Sequence, residues 1–266
     1  MTHAAIVGHI EWVDFVPVAR LPRPGEVIHA HGAFSRAAGG GGVAAGVLAE
    51  LGAQVDFYTA LGDDTHGRAA VEQLHDRGVR MHVAWRQEPT RRAVTLLQDG
   101  GERAIITIGK RLDPLGTDDL DWDGLRAADG VYVTAGDAEA LRRARAAPVV
   151  VASPRARTAL LSAGSQLDAM VFSSHDRDER DWAQLSADRA RLLVSTEGGA
   201  GGRWWGASEG RWNAVPPPGA VMDSYGCGDS FAAGFTYGLA TGPSVAHAAE
   251  LGARCGARCL TRRGAP

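Results

Sequence analysis

The chain has 266 residues, a net charge of −3 at pH 7, and 45% hydrophobic against 22% charged residues. That length can bury one large core. The charge leaves no basic footprint for nucleic acid, and no apolar run reaches the ~20 residues needed to span a bilayer. The start, Met1-Thr-His-Ala-Ala-Ile-Val-Gly, lacks the basic and long apolar regions of a secretory signal, so a cytoplasmic location is expected. Cys227, Cys255 and Cys259 form no Cys-x-x-Cys, which argues against a disulfide framework or a zinc ribbon. Lys110 is the only lysine, so a Gly-Lys-Ser/Thr phosphate loop is excluded.

Ala4–Gly8 reads as a short buried strand. Two β-like stretches follow, Glu11–Val18 and Val27–Phe34, separated by the turn signal Leu-Pro-Arg-Pro-Gly. Ala38–Gly42 reads as a glycine-rich loop and Val43–Leu51 as a helix closed by Gly52. Next come a strand at Val55–Ala60, a turn at Leu61–Gly67 and a helix at Arg68–Arg77 stopped by Gly78. Arg92–Gln98 and Arg103–Ile108 alternate around Asp-Gly-Gly, a hairpin signal. Beyond Pro114, apolar runs at Gly130–Thr134, Val149–Ala152, Ala169–Ser173 and Leu192–Ser195 are spaced by helical segments such as Ala138–Ala146 and Asp181–Arg189. Such alternation predicts a parallel sheet covered on both faces. Ser230–Ala240 and Ser244–Leu260 read as two closing helices. The expectation is one α/β domain over 1–266, with extra antiparallel strands from the first half.

Gly226, Cys227 and Gly228 directly precede Asp229 at the start of a predicted helix. Helix N-terminal amides make an anion site. A carboxylate beside an anion site suits phosphoryl transfer, where it takes the proton of the attacking hydroxyl. A plain N-cap role for Asp229 is the alternative.

The string Asp223-Ser-Tyr-Gly-Cys-Gly-Asp-Ser-Phe resembles the C-terminal signature of the PfkB (ribokinase-like) carbohydrate kinases, with Ser224 and Cys227 at positions commonly Thr and Ala. Thr196, Gly198 and Gly201 resemble that family's nucleotide loop. Pro22-Arg-Pro-Gly-Glu, Gly39–Gly42, Leu61-Gly-Asp-Asp-x-x-Gly, Gly101-Glu-Arg-Ala-Ile and Thr261-Arg-Arg-Gly-Ala are similar to further family segments along nearly the whole chain. The resemblance implies a three-layer α/β/α ribokinase-like fold with a mainly parallel central sheet. It also implies a small β-sheet lid from about 11–35 and 90–109, which often serves as a dimer interface. Val16, Val18, Val27, Ile28 and Phe34 could supply an apolar lid face. The activity implied is an ATP- and Mg²⁺-dependent kinase acting on a primary alcohol of a sugar or sugar-like molecule. Asp229 would be the base, and Gly226, Cys227 and Gly228 the anion hole.

Four positions depart from the family pattern. Val43 stands where an acceptor-binding Asn is usual. Asp14 lies six residues after Gly8 instead of five and, with Gly40 and Gly41, is the expected acceptor-binding group; Trp12 beside it suggests an acceptor with a ring face. The Asn-x-x-Glu associated with Mg²⁺ is replaced by Ser174-His-Asp-Arg-Asp-Glu. Within it Asp178 is the expected metal residue, with Asp176 and Glu179 as competitors. The sequence ends at Pro266, before the segment that often contributes a monovalent-cation site, so that cation is left open. A nucleoside kinase of the same fold, and a sugar- or nucleotide-binding protein without catalysis, are the alternatives. The acid at Asp229 argues against hydroxymethylpyrimidine kinases. The missing Gly-x-Gly-x-x-Gly after the first strand argues against a dinucleotide oxidoreductase.

Overall fold

The computed structural model describes residues 1–99 and 103–266. The chain runs through β1 (His3–Val7), β2 (Glu11–Val18), β3 (Phe34–Ala38), α1 (Gly39–Glu50), β4 (Gln54–Gly62), α2 (Thr65–His75), β5 (Val79–Arg86), β6 (Arg92–Gln98) and β7 (Arg103–Ile108). Its second half alternates β8 (Gly130–Val133), α3 (Ala138–Ala144), β9 (Val149–Ala152), α4 (Arg157–Ala163), β10 (Leu167–Ser173), α5 (Arg177–Leu185) and β11 (Ala190–Thr196). The hairpin β12 (Gly202–Gly206) and β13 (Gly210–Trp212) and the helices α6 (Cys227–Thr241) and α7 (Val245–Cys259) complete it.

The larger sheet has the order β13-β12-β11-β10-β9-β8-β1-β4-β5. All its neighbours pair in parallel except β11–β12 and β12–β13. Successive strand residues face opposite sides, and β1 shows the result. Ala4 and Ile6 join one apolar cluster with Leu48 of α1, Phe231 and Phe235 of α6 and Ala248 of α7. Ala5 and Val7 join another with Leu141 of α3, Leu160 of α4 and Ala183 of α5. Two apolar layers against one buried sheet give the three-layer architecture. The chain passes from β1 outward to β4 and β5, and later from β8 outward the other way. The C-terminal ends of β1 and β8 therefore flank a topological switch point, where α/β folds place ligands.

The second sheet has the order β3-β2-β6-β7. Its outer pairs are antiparallel, as expected of the extra strands, and its central pair β2–β6 is parallel. The strand expected at Val27–Phe34 is corrected. Residues 27–33 form no strand, and pairing with β2 instead runs from Phe34, opposite Phe15, to Ala38, opposite Glu11. That stretch carries His29, His31 and Gly32, and its alternate positions Ile28 and Ala30 give only a narrow apolar face. The expected loop at Ala38–Gly42 is the first turn of α1. α5 starts at Arg177, earlier than the expected Asp181, because the Asp176 carboxylate caps it by accepting the Glu179 N–H at 3.1 Å. β5, α4, β12 and β13 carry too little periodicity to be read from the sequence. The Asp-Gly-Gly turn of the hairpin and the Gly101-Glu segment fall on 100–102, outside the described residues.

One buried polar cluster ties the sheet together at its far end. Asp56, on β4 and 2% exposed, accepts from Nε2 of His82 at 2.9 Å and from Nε2 of His3. Tyr58 stacks on His82 at 4.3 Å. Burial pushes the Asp56 carboxyl up, but the two imidazole hydrogen bonds hold it net below its ordinary 3.8. Its stabilisation is therefore present above pH 3.8 and lost as pH falls through the lowered value. Asp56→Ala leaves two enclosed imidazoles without their acceptor. It is expected to lower the unfolding free energy by about 2–3 kcal/mol, read from urea denaturation at pH 7.

Candidate active site

The N-terminus of α6 is built by an abrupt change of chain direction. Gly226 adopts φ +72° as the N-cap residue, a left-handed conformation that a side chain disfavours. A Cβ there would also press on Ala265 and on Val43 at 3.0 Å. Val43 is thus a packing residue beneath this turn, in a cluster with Phe15, Tyr225 and Ala265, and has no role toward an acceptor. Asp223, 1% exposed, fixes the turn by accepting from the Tyr225 N–H and the Gly264 N–H, both at 2.8 Å.

The helix amides then point into open space. Ser230 N–H bonds Gly226 O at 2.8 Å, and the Cys227 amide reaches Ser224 O only at 3.5 Å. A Cβ on Gly228 would meet nothing within 4 Å. Cys227 contributes through its backbone, since its side chain turns inward. Contact with the Cys259 thiol, then burial, push its own thiol well above the ordinary range.

Asp229 follows at the third helical position. Burial lifts its carboxyl above the ordinary 3.8, Arg155 pulls it back, and Glu179 pushes it further up. Tyr132 O–H on β8 donates to its Oδ1 at 3.5 Å. Across from it, a Cβ on Gly40 would stand 2.9 Å from Asp229 Oδ1 and 3.4 Å from His9 Cε1. The glycine run lets the first turn of α1 close onto Asp229 and His9, so Gly40 and Gly41 act by close approach. Gly41 packs on Phe57 and its N–H bonds His9 O at 3.1 Å. His9, 6% exposed, takes a long contact from Gly40 N–H at 3.5 Å, and its Nδ1 has no partner among the described residues. Burial and then Arg111, Arg155 and Arg91 lower its pKa to about 3, so it is neutral at physiological pH.

Two expected acids are displaced by neighbours. Strand alternation sets Glu11, Val13 and Phe15 on one face of β2 and Trp12 and Asp14 on the other. Asp14 is engaged by Ser35 Oγ at 2.6 Å and Arg92 at 2.9 Å, and Trp12 stacks on His66 at 5.8 Å. The acid facing Asp229 is Glu11. Burial raises its pKa, while Arg91, 3.2 Å from Oε2, opposes that rise. Likewise Asp178 is exposed on α5, and the carboxylate brought to the site is Glu179. Glu179 accepts from Ser173 N–H at 3.0 Å and Arg155 Nε at 2.8 Å, and is felt by Asp229. Two signals in the sequence could have found them: the Asp176-x-x-Glu179 capping pattern and the two-residue alternation of β2.

The loop after β11 stands beside this centre. Thr196 is paired with Ser173 at the ends of β11 and β10, and its hydroxyl donates to Phe172 O at 3.3 Å. Glu197 N–H closes the loop on Gly201 O at 2.8 Å. A Cβ on Gly198 would lie 3.2 Å from His175, whereas Gly201 packs against the backbone of Trp212 and Ala214. The open edges of this loop at Gly199 and of α6 at Gly228 suit a nucleotide polyphosphate. Among the described residues no group of three or more His, Cys, Asp and Glu is arranged to hold a metal.

The family model for pfkB family carbohydrate kinases matches residues 1–148 and 165–266. The chain is 30% identical to the ATP-dependent ribose-1-phosphate kinase of Halopiger xanaduensis, over 100% of this chain and 94% of that protein. A microbiome-derived acarbose kinase superposes with a TM-score of 0.80 at 26% identity, covering 98% of this chain and 93% of that one. Arabidopsis thaliana ribokinase, solved with ribose and ATP, shares the fold with a TM-score of 0.77 at 22% identity, over 100% and 95% of the two chains. With its α6 turn, its lid and its matched segments end to end, the chain belongs to the PfkB family of carbohydrate kinases, phosphotransferases with an alcohol group as acceptor.

Proposed function

We propose that the 1–266 domain transfers the terminal phosphoryl group of ATP to a primary alcohol of a sugar or sugar-like molecule, in the crevice between its body and its lid. The observation that carries this reading is a half-buried carboxylate of raised pKa at Asp229, beside a helix N-terminus whose Gly228 faces open space. ATP supplies the phosphoryl group, and Mg²⁺ offsets the charge of its phosphates. Thr196, Gly198 and Gly201 hold the nucleotide, and Glu179 is the carboxylate that reaches the metal's water shell. Asp229 takes the hydroxyl proton as the oxygen attacks, the Gly226–Gly228 turn holds the charge that develops, and Arg155 neutralises the space between Asp229 and Glu179. Neutral His9 offers a buried hydrogen-bonding edge to the acceptor. The lid, resting on this crevice, excludes water that would compete for the phosphoryl group. The enzyme is proposed to be cytoplasmic; among the described residues no helix is long and apolar enough to cross a membrane. Ile105, Ile106 and Ile108, exposed on β7, are proposed to contribute to a homodimer through the lid.

Asp229→Asn is expected to lower kcat by about 10²–10⁴-fold, the range of general-base catalysis, in an ATP-consumption assay over a sugar and nucleoside panel. Because ionising this half-buried, desolvated carboxylate opposes folding, the same variant is expected to keep or raise its Tm. Tight ligand binding without turnover of any acceptor, unchanged in the Asn variant, would show a binding protein instead.

The base works only when ionised, so kcat/KM falls as pH drops through the raised Asp229 value. Removing the Arg155 charge lets that value rise further, so Arg155→Ala moves the acid limb of the pH–rate profile to higher pH. Glu179→Gln is expected to raise the Mg²⁺ concentration needed for half-maximal rate by about ten-fold or more, and Asp178→Asn to leave it within about two-fold. Magnesium titrations of the two variants separate the neighbouring acids.

A further inference from the structure

Three guanidinium groups from three separate segments converge beneath the lid. Arg91 immediately precedes β6, Arg111 follows β7, and Arg155 follows β9. All three act electrostatically on both buried His9 and buried Glu11. Arg155 belongs to the phosphoryl end, since Asp229 is the strongest influence on it and its Nε is bound to Glu179. Arg91 and Arg111 stand elsewhere. Arg92 pairs with Ile108, so the two flank the root of one hairpin, on the side of His9 and Glu11. Neither bonds any residue of the Glu197–Gly201 loop among the described residues.

Their backbones are held from several sides. Arg91 O accepts the Trp12 N–H at 3.0 Å. The preceding Thr90 N–H donates to Asp64 at 2.8 Å, and Thr90 Oγ1 accepts from the Gly62 N–H at 3.1 Å. Arg111 is oriented by Asp113, with Nε 2.8 Å from Oδ1, and touches Arg155 O at 3.4 Å. The segment behind it is clamped by Arg86, bidentate to Asp118 at 2.8 and 2.7 Å. Both guanidinium groups are fixed: Arg111 sits on Asp113 through Nη2 as well, 3.3 Å from Oδ2, and keeps one Nη1 hydrogen to donate, while Arg91 keeps its terminal N–H groups. Beyond the Nε contact with Glu11, the terminal nitrogens of Arg91 have no partner among the described residues. His9, on which Arg91 acts electrostatically, keeps its Nδ1 without a partner among the described residues. A neutral polyol is read by acids and amides, which Asp229 and Glu11 supply; the donors left over on two guanidinium groups beside Glu11 exceed what it needs. Guanidinium forks match the oxygens of a phosphate monoester.

Resting on the kinase reading above, we propose that Arg91 and Arg111 form a phosphate-reading pair at the root of the lid, and that the acceptor is a phosphorylated sugar whose free primary alcohol lies at Asp229. An upstream reaction must then have phosphorylated the sugar already, and the product is a sugar bisphosphate.

The test compares initial rates with ATP and Mg²⁺ on matched acceptors: ribose against ribose 1-phosphate, and glucose against its 1-phosphate and against gluconate. The expected result is a kcat/KM about 30-fold or more higher for the phosphate esters, the scale of a close charge pair. Arg111→Gln and Arg91→Gln are expected to raise the KM of the phosphorylated acceptor about ten-fold or more. ATP affinity, measured by calorimetry without acceptor, should stay within about two-fold. Arg111→Lys, which keeps charge and volume, is expected to recover part of the loss and guards against a merely misfolded variant. Equal or better use of the neutral sugars overturns the proposal while leaving the kinase reading intact. So does a preference for gluconate, or a loss confined to ATP affinity. Transfer to no alcohol in either arm overturns the kinase reading itself.

Discussion

Everything in this site depends on how closely two helix N-termini can approach each other. α1 and α6 bring their positive ends to the same place, and the space between them holds one carboxylate and one imidazole. Only a glycine at position 40 permits that distance, because a Cβ would press on Asp229 Oδ1. Two helix dipoles then favour negative charge where burial disfavours it. Asp229 is kept ionisable against its own desolvation, and a base with a raised proton affinity is a better base. The tetraglycine start of α1 costs helix propensity and gives this proximity in return.

The same charge balance extends outward. His9 is neutral because it is buried among arginines, so it adds no further positive charge to a region already holding Arg91, Arg111 and Arg155. Arg155 spans from Asp229 to Glu179 and couples the base to the acid at the start of α5. Glu179 in turn is positioned by an N-cap and a strand-end amide, not by its own exposure. Proton acceptance, phosphate neutralisation and acceptor reading therefore share one chain of charged side chains.

The parts of this arrangement legible in the sequence are the contiguous ones. Gly226 to Asp229 is a local structure, a left-handed turn and the helix it opens, and its residues declare it. The alternating second half likewise reads as a doubly covered parallel sheet, because each strand and helix carries its own periodicity. What composition leaves open is phase. Asp14 and Glu11 are three residues apart on one strand, and only the register with β3 and β6 decides which faces the site. Asp178 and Glu179 are neighbours on one helix, and the cap at Asp176 sets which points inward. Val27–Ile28 looked like a strand because it is apolar, but β2 found its partner further along, at Phe34–Ala38. A one-residue shift moves a side chain to the opposite face, and composition does not record it.

The parallel pairing at the centre of the lid has a mechanical corollary. β2 and β6 both leave the body at the same end, and β3 and β7 both return there, with Glu11 opposite Ala38 and Arg92 opposite Ile108. The sheet is therefore rooted along one edge, and its opposite edge is held as well: Leu97 is buried in a cluster with Tyr225 and Cys259, and Arg103, its partner on β7, bonds the Ser224 hydroxyl just before the α6 turn. Glu11, Arg91 and Arg111 lie at the root, so one small sheet touches the crevice at both of its ends.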